Sequence, residues 1–409
     1  MKSDMSGAGN IGNRLSPARR EGASIHSGTP SQKIPIISFF SGAGFLDIGF
    51  LRKNVFDIVW HNEHNNNFAD AYSHGMAQLG YRVSNKQNRM SISRLCHANV
   101  AKEAFEGGPV PQIFGVIGGP PCPDFSRAGK NKGGKGGNGR LTGKFIGMID
   151  KLNPTFFLLE NVPGLLETKK HRKYLFSQLQ KLSEKYAIDM KILNSLEYGV
   201  PQSRRRLFVV GMKLEWLSGD RPDYKSIKQT SDNMIGIKKV ESKTNNEIAA
   251  EIEKLHWFEW PKPGFKDAVA VISSGKRKCP DELTVGKCFA KINGHKNAKD
   301  IFKARSRKII DNSIKQGDTS RKSFKRLHLQ SFSPNAAYGN NEVHLHPTKA
   351  RRISVAEALA LQGIPKKYSF PKDMTLTAKF KAVGNGVPVP LAKSMAGAIL
   401  TFIEKRTIK

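Results

Sequence analysis

Short apolar runs, closed off by glycine, proline and polar clusters, recur through the first half of the chain, with helix-like periodicity between them. Ile34 to Phe40 predicts a strand, Ser41-Gly42-Ala43-Gly44 a tight turn, and Phe45-Leu46-Asp47-Ile48-Gly49-Phe50 the start of a helix. Asp57 to Trp60 predicts a second strand, with Glu63 just past its end. Ile113 to Ile117, Phe156 to Leu159 and Leu207 to Gly211 predict further buried strands. Strand, glycine loop and helix in alternation predict an α/β fold with a Rossmann-like sheet. Near the C-terminus, Ser354 with Glu357 three residues on predicts a capping box, and Gly363 a helix stop. Gly384-Asn385-Gly386 reads as a turn before an amphipathic helix that runs to about Lys405.

Between about Lys213 and Pro347 this rhythm is absent. Residues 262 to 326 hold eighteen Lys/Arg against six Asp/Glu. Trp257, Phe258, Trp260, Phe265 and Phe289 are interleaved, and the expectation is that they pack a small core of their own. The expected layout is a disordered basic arm over 1–33, a catalytic domain over 34–212, a smaller basic domain over 213–347, and the C-terminal part of the catalytic domain over 348–409. No apolar run reaches the length of a membrane span, and the first residues lack the apolar segment of a signal peptide. Four cysteines without paired metal spacing predict free thiols and no metal site, as expected in the cytoplasm.

Charge changes the picture most. Sixty-seven Lys and Arg face thirty-four Asp and Glu in 409 residues, a formal net charge of +33. Such an imbalance speaks to partners, and nucleic acid is the commonest polyanion. A supercharged surface without a specific partner is the plain alternative.

Candidate chemistry concentrates at strand ends. Gly118-Gly119-Pro120-Pro121-Cys122-Pro123-Asp124-Phe125-Ser126 ends the apolar run Ile113 to Ile117 in a stiff turn whose reactive atom is the Cys122 sulfur. A buried structural cysteine is the competing reading. Glycines after the first strand let a backbone approach a ligand, and an acid about twenty residues on, Glu63, suits ribose hydroxyls. That pattern does not separate a dinucleotide from another adenosyl ligand. The loop from Gly129 to Gly143, with seven glycines and several lysines, predicts a mobile lid; a solvated linker is the alternative. Glu160, at the end of an apolar strand, is a carboxylate whose pKa burial would raise, which suits a proton donor. Capping of a helix near Pro163 is the alternative. Gln202-Ser203-Arg204-Arg205-Arg206 could grip a phosphate or a carbonyl oxygen, or form an exposed basic turn.

Taken in order, Phe-Ser-Gly-Ala-Gly, Gly-Gly-Pro-Pro-Cys, Glu-Asn-Val, Gln-Ser-Arg-Arg-Arg, Arg-x-x-Ser-x-x-Glu-Ala and Gly-Asn-Gly-Val-Pro resemble the motif series of bacterial-type DNA (cytosine-5) methyltransferases, from about Ile34 onward. The resemblance implies S-adenosyl-L-methionine as cofactor, with Phe40, Gly42, Gly44, Glu63, Asn385 and Gly386 at its binding positions. It implies Cys122 as nucleophile on C6 of a flipped-out cytosine, and Glu160 as the proton donor at N3. Arg206 would contact O2 and Arg204 an adjacent phosphate, while Pro121, Gln202 and Ser126 would touch the DNA. The basic region would be the target-recognition domain, reading a specific double-stranded sequence. A monomer, cytoplasmic and nucleoid-associated, without membrane contact, is the expected state. It would serve in a restriction-modification system beside a separate endonuclease, or as an orphan enzyme. Three positions depart from the family: Phe45 replaces a usual glycine, Met90-Ser91-Ile92 lacks an acid for the adenine amine, and Pro123 replaces a usual glutamine. Rival readings are an RNA cytosine-5 methyltransferase, which lacks its usual Cys-Phe-Thr signature here, a non-catalytic DNA-binding scaffold, and a nicotinamide dehydrogenase.

Overall fold

The computed structural model describes residues 33–82, 87–121, 137–218, 223–236, 244–275, 278–303, 314–321, 323–335, 338 and 343–407. The expected N-terminal arm, Cys122, Ser126 and the glycine loop up to residue 136 lie outside them. Residues 33 to 409 form one compact unit.

Its centre is a seven-stranded sheet in the order β3-β2-β1-β4-β5-β7-β6. The strands are β1 (Ile34–Phe39), β2 (Phe56–Asn62), β3 (Gln87–Asn88), β4 (Gly115–Gly118), β5 (Phe156–Asn161), β6 (Tyr186–Asn194) and β7 (Arg205–Lys213). The first five are parallel, whereas β7 runs antiparallel to both β5 and β6. Parallel strands covered on both faces read as unbroken apolar runs, and β4 and β5 are buried at every residue. Strand order reverses between β1 and β4, so the crevice at their carboxyl ends is where such sheets hold ligands.

The helices near that crevice are α1 (Phe45–Leu51), α2 (Asn66–Gln78), α3 (His97–Ala104), α4 (Gly137–Leu152), α5 (Gly164–Glu167) and α6 (Lys169–Leu179). Beyond the sheet come α7 (Leu214–Leu217), α8 (Tyr224–Gly236), α9 (Asn245–Lys254), α10 (Ala268–Ser273), α11 (Val285–Ala290), α12 (Val355–Leu361), α13 (Leu376–Asn385) and α14 (Val389–Thr407). The capping box at α12 is formed: Ser354 Oγ accepts from the Glu357 N–H, and the Glu357 carboxylate accepts from the Ser354 N–H at 2.7 Å.

Four expectations need correction. Gly137 to Gly143 is the first half of α4, not part of a mobile lid. Phe145, Ile146 and Ile149 of that helix are core residues, and their burial overrides the glycines' poor helix propensity. Of the five interleaved aromatics of the basic region, only Phe265 packs in a small separate cluster, with Leu196, Ala268 and Leu283. Trp257, Phe258 and Trp260 pack with Phe402 of α14 on one face of the main sheet, while Phe289 joins the cluster containing Phe45 and Tyr368. Asp189 on β6 anchors the aromatic strap by accepting N–H bonds from Trp257 and Phe258, each at 2.9 Å. Asn385 is the last residue of α13, not part of a free turn. Finally, Leu376–Arg406 is long and apolar enough to span a membrane by composition. Much of that apolar surface is core, with Phe380, Met395 and Ile399 fully buried.

Candidate active site

The loop after β1 is backbone-driven. Phe40, Gly42 and Gly44 take left-handed φ of 51°, 56° and 86°. Such a value at Phe40, a bulky non-glycine residue, marks strain that the surroundings must hold in place. At Gly44 the φ of 86° strains any side chain, and an added Cβ would come within 3.0 Å of the Tyr72 ring. Glu63, at the end of β2, accepts the Gly42 N–H at 3.0 Å and the Asn65 N–H at 2.8 Å. Burial raises its pKa, and these two bonds and nearby His64 partly oppose that. Asn62 donates to the Asn88 and Met90 carbonyls at 3.0 and 2.9 Å, so the loops after β1, β2 and β3 are tied into one cradle.

Several residues that hold this cradle were not foreseen. Tyr368 donates to Ala43 O at 2.9 Å, fixing the glycine loop from the C-terminal part of the chain. Asp47, fully buried on α1, accepts from Ser38 Oγ at 2.8 Å and Tyr72 Oη at 2.9 Å. Burial lifts its pKa to about 7 against the pull of those two bonds. A carboxylate inside the apolar run Phe45 to Phe50 was the available signal for Asp47; nothing local marks Tyr368.

Across the crevice, β4 leads into the proline turn. Gly119 lies against Glu160, where an added Cβ would come 2.8 Å from Glu160 Oε2. Asn161 Nδ2 donates to Pro120 O at 3.2 Å, fastening the turn to β5. Pro121 is half-buried at the last described position before Cys122. Glu160 caps no helix, for the residue preceding α5 is Pro163 and no side chain caps it. Its Oε1 instead meets Arg206 Nε at 3.0 Å, with both side chains 9% exposed. Desolvation raises the Glu160 pKa, while Arg206 and Arg204 hold it partly down. Burial and the two arginines thus pull this carboxyl in opposite directions, with burial the larger influence. Antiparallel β7 makes the pair possible: its first residues lie beside the carboxyl end of β5. Arg206 is thus within the strand rather than ahead of it, as the sequence pattern had suggested.

Arg204 and Gln202 differ from expectation. Arg204 is fully buried and donates from Nη2 to Gly384 O at 2.5 Å and Gly386 O at 2.9 Å, and from Nη1 to Asn335 Oδ1 at 3.0 Å. It presents no surface to a phosphate. Gln202 is also fully buried, with its side-chain amide beside the Tyr338 hydroxyl. Arg205 is exposed and pairs with Glu167 at 2.7 Å. Asn385 is exposed at the end of α13. Gly386 closes on the first residue of α1, since its added Cβ would lie 2.1 Å from Phe45 Cδ2. Among the described residues no cluster could hold a metal ion.

Comparisons with known proteins agree with this geometry. The family model for C-5 cytosine-specific DNA methylase matches residues 34–401. The chain is 39% identical over 383 residues to the type II methyltransferase M.NmeDI of Neisseria meningitidis serogroup C, covering 91% of this chain and 85% of that one. It is 28% identical to M.NgoPII of Neisseria gonorrhoeae, covering 93% and 99%. Among solved structures, a prophage-encoded E. coli protein of 23% identity aligns with a TM-score of 0.59 over 91% of this chain and all of the other. The S. pombe Dnmt2 methyltransferase aligns at 14% identity with a TM-score of 0.57, over 91% and 100%. With a family model matched across residues 34–401 and a relative 39% identical, the chain belongs to the C-5 cytosine-specific DNA methylase family and is a DNA (cytosine-5-)-methyltransferase.

Proposed function

We propose that this enzyme methylates C5 of a flipped-out cytosine in a specific double-stranded sequence, through a covalent bond between Cys122 and C6. The observation that carries the reading is the buried Glu160–Arg206 pair, pressed against Gly119 in the turn that leads to Cys122. Cytosine C5 is a poor nucleophile. The Cys122 thiolate adds to C6, the Glu160 carboxyl bonds N3 and stabilises that addition, and the electron pair moves to C5. The Arg206 guanidinium, anchored in β7, bonds O2. After methylation the C5 proton leaves, the C6–sulfur bond breaks, and the thiolate returns. A base inside a stacked duplex cannot reach these groups, so it must leave the helix.

S-adenosyl-L-methionine fits the cradle between β1 and β2, and when bound supplies the electrophilic methyl. The left-handed loop Phe40 to Gly44 leaves backbone exposed where side chains would intrude, and Glu63 keeps lone pairs free for ribose hydroxyls. Asn385 and Gly386 border the cradle from the C-terminal side. Ser91, at the position that lacks an acid, caps a short helical turn by accepting from the Ser93 N–H. Target recognition falls in 213–347, chiefly after the aromatic strap, where basic residues dominate and packing on the sheet ends. A type II restriction-modification setting follows the names of the relatives.

The test is transfer of labelled methyl from S-adenosyl-L-methionine to genomic DNA and, separately, to total tRNA. Transfer to DNA that disappears in Cys122→Ala, with folding and duplex affinity retained, supports the reading. Turnover by purified Cys122→Ala would sink it, and preferential labelling of tRNA would favour the RNA enzyme.

A further inference from the structure

Arg204 costs the fold something that a surface residue would not: a guanidinium taken entirely out of water must have its N–H groups met. The partners it meets come from two distant segments. Nη2 binds the carbonyls of Gly384 and Gly386, which flank Asn385. That turn is also fixed by Gln362, whose Nε2 donates to Val383 O at 2.6 Å, and it presses on Phe45 at the base of the glycine loop. Nη1 binds Asn335, two residues after Ser333. Ser333 itself pairs with the stretch ahead of Arg204: the Ser203 N–H donates to Ser333 O at 2.8 Å, and the Ser333 N–H to Pro201 O at 2.9 Å. Two residues beyond Arg204 is Arg206, held by Glu160. One planar donor fork therefore joins the cofactor-side turn, the late part of the basic region and the strand that carries the base-pocket arginine.

We propose that Arg204 is a positioning residue that couples occupancy of the cofactor cradle to DNA binding. The inference rests on the functional reading above for where cofactor and DNA bind. The fork is rigid, so a shift of the turn at 384–386 on ligand binding reorients the donor offered to Asn335. Ordering of either segment lowers the cost of ordering the other. Linkage makes the effect reciprocal: DNA tightens cofactor binding by the factor by which cofactor tightens DNA.

The experiment measures the affinity of a duplex substrate with and without saturating S-adenosylhomocysteine, and the affinity of S-adenosylhomocysteine with and without duplex, by titration calorimetry and fluorescence anisotropy. Wild type is expected to show a coupling factor of at least about fivefold, equal in both directions. Asn335→Ala removes only the recognition-side branch at an exposed position. It should leave the affinity of the free enzyme for S-adenosylhomocysteine within about twofold while the coupling falls to about twofold or less. Arg204→Lys, which keeps the charge but loses the fork, should do the same to the coupling; if it fails to fold, Asn335→Ala decides alone. A merely structural role would weaken each affinity without changing their ratio. Wild-type coupling of one, or unchanged coupling in Asn335→Ala, overturns the proposal. Failure of wild type to bind duplex or S-adenosylhomocysteine at all would instead overturn the functional reading.

Discussion

Arg206→Met tests the base pocket through pH. At the observed 3.0 Å, two unit charges attract by about 5–6 kcal/mol at an effective dielectric constant of about 20. Desolvation offsets much of that, but removing one partner of a buried pair still typically costs about 3–5 kcal/mol, because the remaining charge is stranded. Glu160 can escape by taking a proton. Its pKa is already raised by burial, and loss of Arg206 removes the largest influence that holds it down. A carboxyl whose folded pKa lies above its unfolded value lends stability that is complete below the unfolded pKa and lost as pH rises through the folded one. The variant should therefore be only about 1–2 kcal/mol less stable than wild type near pH 5, and about 3–5 kcal/mol less stable near pH 8. Urea midpoints of both proteins across that range give the difference directly. Single-turnover methyl transfer at saturating DNA should be lost at both ends, since protonating Glu160 does not replace the donor to O2. An equal loss of stability at pH 5 and pH 8 would mean that Arg206 contributes packing and not charge, and the reasoning fails. Recovery of transfer at pH 5 would mean that Arg206 acts only through Glu160.

Three further outcomes are expected. Glu63→Gln leaves one neutral acceptor oxygen for two N–H donors, Gly42 and Asn65; with a charged hydrogen bond worth about 1.5–3 kcal/mol, calorimetry should find S-adenosylhomocysteine bound about 10–100-fold more weakly, and unchanged affinity would remove Glu63 from the cradle. Asp47→Asn should stabilise the protein increasingly as pH rises from about 4 to 7 and then level off, because the wild-type carboxyl, with its pKa lifted to about 7, loses its contribution over that window; the upper bound is about 4 kcal/mol, and a flat difference in urea midpoint between pH 5 and 8 contradicts it. Duplex binding should fall steeply with salt, with a log–log slope of roughly −5 for six phosphate contacts, whereas a flat response would detach the +33 charge from DNA binding.

The parallel half of the sheet was legible because burial on both faces leaves continuous apolar runs, and because glycine and proline mark where each strand stops. The pairing of Glu160 with Arg206 was only half legible. Each residue stood out at a strand terminus, yet their contact depends on β7 running antiparallel, which no local pattern encodes. Arg204 was misjudged for a related reason. Its neighbours Arg205 and Arg206 make a basic triplet that resembles a surface grip, but its partners lie at Asn335, Gly384 and Gly386, far along the chain. Composition misled at α4, where tertiary burial of Phe145 and Ile149 outweighs a glycine-rich start, and at Trp257 to Trp260, where aromatic content identified packing without saying against what.

The packing of α14 on α1 bears on how the protein comes to exist in the cell. Gly49 meets Ala392 so closely that an added Cβ would lie 2.4 Å from it, and Leu46 and Phe50 share a cluster with Leu391, Met395 and Ile399. The β1–α1 unit is thus completed by a helix that leaves the ribosome much later. At about 5–20 residues per second, the intervening stretch of roughly 350 residues takes about 20–70 s to synthesise. Throughout that time the apolar back of the glycine loop's own helix has no native cover. Nascent chains arrested before Val389 should be held by chaperones or degraded, and should bind no cofactor, although nearly every motif of the site has already been translated.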